Sequence, residues 1–351
     1  MTDLREAKIL FVVNSLSGGG AENSVFAVTR ELIKKGFPVY LCALNRNDLN
    51  DSSDPLKGIF LLEREWKSGL VATVSNLIKF KRLLLELNPK ILIANCELPE
   101  LYVALASPML SRKVVVEHTS KPWHGRKLLG AFVRILLRLR GATWITVSSE
   151  SGRIWLGCDS PMRIPNPIVV KRNINRMHSS KSDVVFVGRL RPEKRPQWAI
   201  DASIGNDLNI DLFGDGFLRD NLEKAYETST DQVRFHGYVA NPWDSVSEDS
   251  IVVVPSEFEG DGMVVVEAVL RNHPVLLADN ADLRKFHLPD SNYFQSESQL
   301  LEKLCLWKES NKLLFHASGD VIHSLTKERN IEVISDKWIE LLTQLGQEVR
   351  S

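Results

Sequence analysis

Short apolar runs and amphipathic stretches alternate along this chain, and the alternation occurs twice. Residues 8–13 (KILFVV), 38–44, 91–94, 114–116 and 143–147 are apolar without a polar side, which predicts strands buried on both faces, as in a parallel sheet. Residues 21–35 and 70–87 carry apolar side chains three and four apart and read as helices, closed by Gly36 and by Asn88-Pro89. A polar stretch follows at 171–182, and then the series restarts. Residues 184–187, 208–213, 251–254 and 274–277 predict strands, 233–239 a strand and turn, and 298–308 and 331–345 helices. Strand, helix, strand on either side of a polar connection predicts an α/β protein of two doubly wound, Rossmann-like domains facing a cleft, with 1–170 and 183–325 as the domains and 171–182 as the linker.

Length agrees with this, since 351 residues suit two domains of ordinary size. Composition adds exclusions. Lys plus Arg and Asp plus Glu are both 44, so no global charge favours nucleic acid. Cys42, Cys96, Cys158 and Cys305 are scattered without zinc spacing, which predicts reduced thiols in a cytoplasmic protein. The opening MTDLREAKILFVV reads as a first strand rather than a signal peptide, and no apolar run approaches the ~20 residues of a membrane span. Charge matters only locally. Residues 121–140 hold Lys121, Arg126, Lys127, Arg134, Arg138 and Arg140 with no acid, among many leucines. Helical spacing puts Lys127, Arg134 and Arg138 near one face. This predicts either an amphipathic helix lying on an anionic membrane, giving peripheral attachment to the cytoplasmic face, or an ordinary packing helix with a solvated basic side.

The candidate chemistry sits where predicted strands end. After the strand at 251–254, Gly260-Asp261-Gly262 turns the chain into a helix beginning near Met263. The first amides of that helix, with its dipole, suit a phosphate. Glu259 precedes the helix and Glu267 lies about 7.5 Å along it, at ~1.5 Å per residue, so two carboxylates flank one anion site. That pattern suits a nucleotide sugar; taken alone it also fits a surface loop rich in acids. At the end of the strand at 184–187, Gly188 permits close approach, and Arg189 and Lys194 are cations able to neutralise a diphosphate, or simply surface charges. Glu117-His118-Thr119 ends another strand. The loop Gly18-Gly19-Gly20 after the first strand is either a tight turn or a place for close backbone approach. It is not a dinucleotide fingerprint, because Asn23 stands at the third glycine position and Leu44-Asn45-Arg46 lacks the ribose-binding acid, which argues against a nicotinamide enzyme.

Several of these motifs together resemble a family. Glu259 and Glu267 within SEFEGDGMVVVEA, the run GRLRPEK at 188–194 and IPNP at 164–167 are similar to segments of the retaining GT-B-fold glycosyltransferases of family four, also called glycosyl transferases group 1. The resemblance spans nearly the whole chain and is strongest over 188–268. It implies a nucleotide-sugar donor, UDP- or GDP-linked, used as substrate without cofactor; no DxD-type metal motif sits at a suitable strand end, which predicts metal independence. The acceptor would be a glycan or lipid-linked glycan, in cell-surface polysaccharide or lipopolysaccharide synthesis. It assigns Arg189 and Lys194 to the leaving diphosphate, with the amides of Gly262, Met263 and Val264. It assigns Glu259 to the sugar, Glu267 to the ribose, Tyr238 to the base by position, His118 to the transferred sugar, and Gly18, Gly19, Gly20 and Gly188 to close approach. Attack would come from the leaving-group face, without an enzymic nucleophile. A helix within 326–351 would cross back to the N-terminal domain, with Trp338 as its anchor. Asp261 and Val264 depart from the family pattern and bear on the donor sugar more than on the reaction, while Phe217, where the family usually has proline, is a minor departure. Two other classes share the site: a nucleotide-sugar enzyme of the hydrolysing-epimerase type, and an inactive sugar-nucleotide-binding subunit.

Overall fold

The computed structural model describes residues 5–16, 19–45, 58–64, 70–148, 162–168, 182–309 and 312–347. Gly18, Cys158 and all of the expected linker over 171–182 except Ser182 lie outside the described residues. The chain divides into two units, 1–169 with 328–351, and 170–327.

The first unit contains β1 (Ile9–Val13), α1 (Gly20–Lys34), β2 (Val39–Asn45), β3 (Ile59–Arg64), α2 (Leu70–Leu87), β4 (Ile91–Asn95), α3 (Glu97–Ala106), β5 (Arg112–Glu117), α4 (Lys127–Leu139), β6 (Thr143–Thr146) and β7 (Met162–Arg163). The second contains β8 (Val184–Val187), α5 (Pro196–Ile204), β9 (Ile210–Phe213), α6 (Arg219–Ala225), β10 (Val233–Gly237), β11 (Ile251–Val254), α7 (Met263–Leu270), β12 (Val275–Ala278), α8 (Ala281–Arg284), β13 (Tyr293–Phe294), α9 (Glu297–Glu309) and α10 (Gly319–Glu328). The last helix, α11 (Ile331–Gln347), belongs to the first unit.

Each unit is built on one parallel sheet, ordered β3-β2-β1-β4-β5-β6-β7 in the first and β10-β9-β8-β11-β12-β13 in the second. β1 shows why its sequence has no polar side. Successive side chains leave a strand on opposite faces, and here both faces are covered. Ile9, Phe11 and Val13 enter a core with α1 and α11, while Leu10 and Val12 enter a second core with α2, α3 and α4. Trp338 of α11 packs on Phe11, with ring centroids 5.3 Å apart. The strand order reverses between β1 and β4 and again between β8 and β11. Such switch points open a crevice beyond the carboxyl ends of the strands, where ligands of open α/β sheets bind.

The basic stretch at 121–140 differs from expectation. Only Lys127–Leu139 is helical, and Arg134 does not share an outer face with Lys127 and Arg138. It is buried, ion-paired to Glu117 of β5 and 3.4 Å from Glu100 of α3. Its place on the helix, at the border between the buried and outer faces, lets the long side chain turn either way; two buried carboxylates decide for inward. The preceding segment is pinned at Trp123, whose backbone N–H donates to Glu97 Oε1 at 2.6 Å and whose indole donates to Glu100 Oε2 at 3.0 Å. Gly130 lets α4 pass this indole, since a Cβ there would meet it at 2.3 Å. Among the described residues no helix is long and apolar enough to cross a membrane.

Candidate functional site

In the second unit the loops after β8 and β11 meet at the switch point. The chain leaves β8 through Gly188 and Arg189, makes a 3-10 turn over Pro192–Lys194, and enters α5 through Arg195 in the left-handed region at φ 47°. It leaves β11 through Pro255 and Ser256 and enters α7 through Gly262 at φ 67°. At Gly262 a Cβ would also stand 2.9 Å from the Phe286 ring, so both backbone and packing require glycine there.

Three contacts join the loops. The Glu257 N–H donates to the Glu193 carbonyl at 2.8 Å, Arg195 approaches Glu257 at 3.8 Å, and Lys194 Nζ pairs with Glu259 Oε1. Ser256 Oγ also donates to Glu259 Oε1, at 2.8 Å, and the Glu259 N–H donates to Asp282 of α8 at 2.9 Å. Burial raises the Glu259 carboxyl, but Lys194, the Ser256 hydroxyl and Lys285 outweigh it and hold the group below its ordinary range. Glu259 is therefore an ionised, largely buried carboxylate beside a lysine and ahead of the first amides of α7, an arrangement suited to hydroxyls next to an anion.

Arg189 is exposed at the end of β8. Gly188 touches little, since a Cβ there would meet only the Phe186 ring at 3.5 Å. By contrast Gly214 and Gly216 after β9 lie directly on this loop: Cβ atoms there would stand 1.9 Å from the Gly188 carbonyl and 2.5 Å from the Leu190 carbonyl. Tyr238 follows β10 and is exposed.

Glu267 of α7 has a partner that the sequence does not announce. Its Oε2 accepts the Trp243 indole N–H at 2.7 Å. Trp243 stacks on His273, and Arg271 lies over the Trp243 ring, 5.2 Å from its centroid. Burial raises the Glu267 carboxyl, with Trp243 and Arg271 pulling it back. Trp243 lies 24 residues before Glu267 in a 3-10 turn, so no local spacing links them.

His118 follows β5 in the first unit, and its Nε2 is 3.2 Å from Asn95 Oδ1 at the end of β4. The Asn95 amide nitrogen donates to the carbonyls of Val12 and Ile93 at 3.3 and 3.4 Å. This fixes the amide with its oxygen toward His118 and makes Nε2 the protonated nitrogen. Cys96, next in the chain, is held at φ 73°, a strained conformation for a non-glycine residue. His118 and Asn95 line one recess with Pro165, Asn166 and Pro167. Asn166 is held there by Arg329, which donates to its carbonyl at 3.1 Å from the approach to α11. Of the loop glycines, Gly19 is the exposed residue before α1 and Gly20 its first helical residue.

Comparison with known proteins agrees with this architecture. Residues 18–172 match the family model described as Glycosyltransferase Family 4, and residues 170–287 match Glycosyl transferases group 1. A protein of Haemophilus influenzae described as an uncharacterized glycosyltransferase is 23% identical over 350 residues, covering 95% of this chain and 98% of its own. Among solved structures, Anabaena Alr3699/HepE in complex with UDP and glucose superposes with a TM-score of 0.74 at 18% identity, over 96% of this chain and all of its own. A variant of Staphylococcus aureus TarM, in complex with Fondaparinux, alpha-GlcNAc-glycerol and UDP, superposes with a TM-score of 0.74 at 15% identity, over 96% of this chain and 99% of its own. With a family model matched along each half and two doubly wound parallel sheets, the chain belongs to the GT-B-fold glycosyltransferases of family 4, the glycosyl transferases group 1.

Proposed function

We propose that this protein transfers a sugar from a nucleoside diphosphate donor to a glycan or lipid-linked glycan, with retention of anomeric configuration and without a metal ion. The observation that carries the reading is the Lys194–Glu259 pair at the β8/β11 switch point, ahead of the N-terminus of α7. Departure of a nucleoside diphosphate develops negative charge on the diphosphate. Lys194, Arg189 and the amides of Gly262, Met263 and Val264 oppose that charge with groups already in place, which is where electrostatic preorganisation acts. Glu259 takes the sugar hydroxyls and Glu267 the ribose. His118, in the tautomer set by Asn95, is assigned to the transferred sugar. Complexes of UDP with HepE and TarM favour a uridine donor, and the saccharides bound to TarM favour a saccharide acceptor.

A thermal-shift comparison of UDP, GDP, ADP and CDP tests the donor site. At ~100 times its dissociation constant the correct nucleotide stabilises its unit by about 2.7 kcal/mol. No stabilisation by any of the four overturns the reading. Product analysis without acceptor then separates transfer from hydrolysis. Glu267→Gln gives a finer test, since a hydrogen bond to a charged group contributes ~1.5–3 kcal/mol. The neutral amide can still accept the Trp243 N–H, so the fold is kept while calorimetric affinity for the nucleoside diphosphate drops. Unchanged affinity removes Glu267 from the ribose.

A further inference from the structure

The helices on one side of the first sheet are apolar on both sides. Gly130, Val133 and Leu137 of α4 face the core. On the opposite side Leu128, Phe132, Ile135 and Leu139 recur at helical spacing and are exposed, Leu128 at 89% and Leu139 at 78%. In the same layer, on the far side of α3, α2 buries Phe80, Leu83, Leu84 and Leu87 and exposes Val71 (85%), Val74, Ile78 and Leu85 on its other side. α3 belongs to the same layer, since Tyr102 packs edge-on against Phe80 and Glu100 reaches Arg134; its last turn and the turn after it expose Leu105, Met109 and Leu110 (92%). A helix that is apolar all round is normally covered on both sides, and exposed apolar residues recurring over the helices of one layer mark an interaction face.

The charges bordering the face select the partner. Lys79, Lys81 and Arg82 are exposed on α2, and Lys121, Arg126, Lys127 and Arg138 on or before α4, against the exposed acid Glu86. The chain as a whole has net charge +0, so this bias belongs to the face. We infer that the outer surface of α2, the 105–110 turn and α4 forms one docking face for an anionic lipid bilayer. The aliphatic side chains enter the region below the headgroups and the flanking cations remain at phosphate level. Arg134 has no part in it, being committed to the core. The inference is independent of the sugar-transfer reading.

Flotation of the full chain with liposomes tests it, comparing phosphatidylcholine alone with phosphatidylcholine mixed with phosphatidylglycerol. Binding is expected to the anionic vesicles and to weaken as salt rises. The double variant Leu128→Asp, Phe132→Asp should bind at least tenfold more weakly, and a second variant, Met109→Ser with Leu110→Ser, should weaken binding from the other end of the face. Lys127→Gln and Arg138→Gln should each cost about fivefold, whereas Lys34→Gln on α1, across the sheet, should not. Unchanged melting temperature and nucleotide binding certify that the variants are folded. No binding to anionic vesicles at low salt overturns the inference. So does a dimer in solution that fails to bind vesicles and that the same apolar variants turn into monomers, because the face would then cover a second copy of the chain. Binding undiminished by the apolar and cationic variants overturns it as well.

Discussion

Replacing Lys194 by alanine is expected to lower the rate of sugar transfer by about 10²–10³, the range found when one preorganised partner of a developing negative charge is removed. The substitution acts twice. It removes a cation assigned to the leaving diphosphate, and it leaves Glu259 with the Ser256 hydroxyl and Lys285 as its remaining support. Burial is the largest influence on this carboxyl, so losing Lys194 moves its pKa upward. The acidic limb of the rate profile should therefore shift to higher pH in Lys194→Ala and stay near its original place in Lys194→Arg, which keeps a charge. Stability follows the same sign. A carboxyl held below its unfolded value stabilises the fold above that value, and the contribution is lost as pH falls through the folded pKa. The variant should lose part of that stability at neutral pH. Single-turnover kinetics with saturating donor separates the chemical step from binding. Near-normal turnover in a folded Lys194→Ala protein would remove the lysine from the reaction.

Arg134→Gln is expected to destabilise the first unit by ~3–5 kcal/mol, the usual consequence of leaving a buried charge without its partner. Arg134 lies between Glu117 and Glu100, and Glu100 also accepts from the Trp123 indole, so the substitution loosens α3, α4 and β5 together. Gln substitutions at exposed Arg126 and Arg138 should leave stability within about 0.5 kcal/mol. The cluster also predicts a pH dependence. One guanidinium cannot neutralise two buried carboxylates, so Glu117 and Glu100 share a proton in the fold: burial raises both, pushing the Glu117 carboxyl up from 4.5 to about 8 despite Arg134. Between those values the folded protein holds a proton that the unfolded chain has released. The unfolded state then binds fewer protons, and stability must fall as pH rises through the window. Urea midpoints for the first unit from pH 5 to 8.5 should decline, and Glu117→Gln should flatten the decline. A midpoint that rises over this range contradicts the assignment.

The motifs at the β8/β11 switch point were legible because they are local. A strand, a glycine turn and a helix start lie within about a dozen residues at 251–263, and their order alone aims backbone amides at a ligand. The same holds for Gly188, Arg189 and Lys194 after β8. Partners drawn from elsewhere left no trace of this kind. Trp243, in a 3-10 turn, reaches Glu267 on α7, and Asn95 reaches His118 across 23 residues where the ends of the neighbouring strands β4 and β5 converge; these partners meet in space and not in sequence. Elements without clear apolar periodicity were also missed. β3, an edge strand with exposed Leu61, and α3, with Pro99 inside its first turn, give weak patterns.

The sequence by itself determined the two parallel sheets, since runs such as ILFVV at 9–13 have no polar side and are stable only when helices cover both faces. It also placed the glycines and charges at the strand ends. The basic stretch at 121–140 shows what it could not determine. Helical spacing gives the angle at which Arg134 leaves the axis, but that angle lies at the border of the buried face. The direction of the guanidinium depended on Glu100 and Glu117, two carboxylates brought from α3 and β5, and only the tertiary structure supplied them. The same packing decided which leucines of α4 became core and which remained outside, because periodicity cannot rank two apolar faces until one of them meets a sheet.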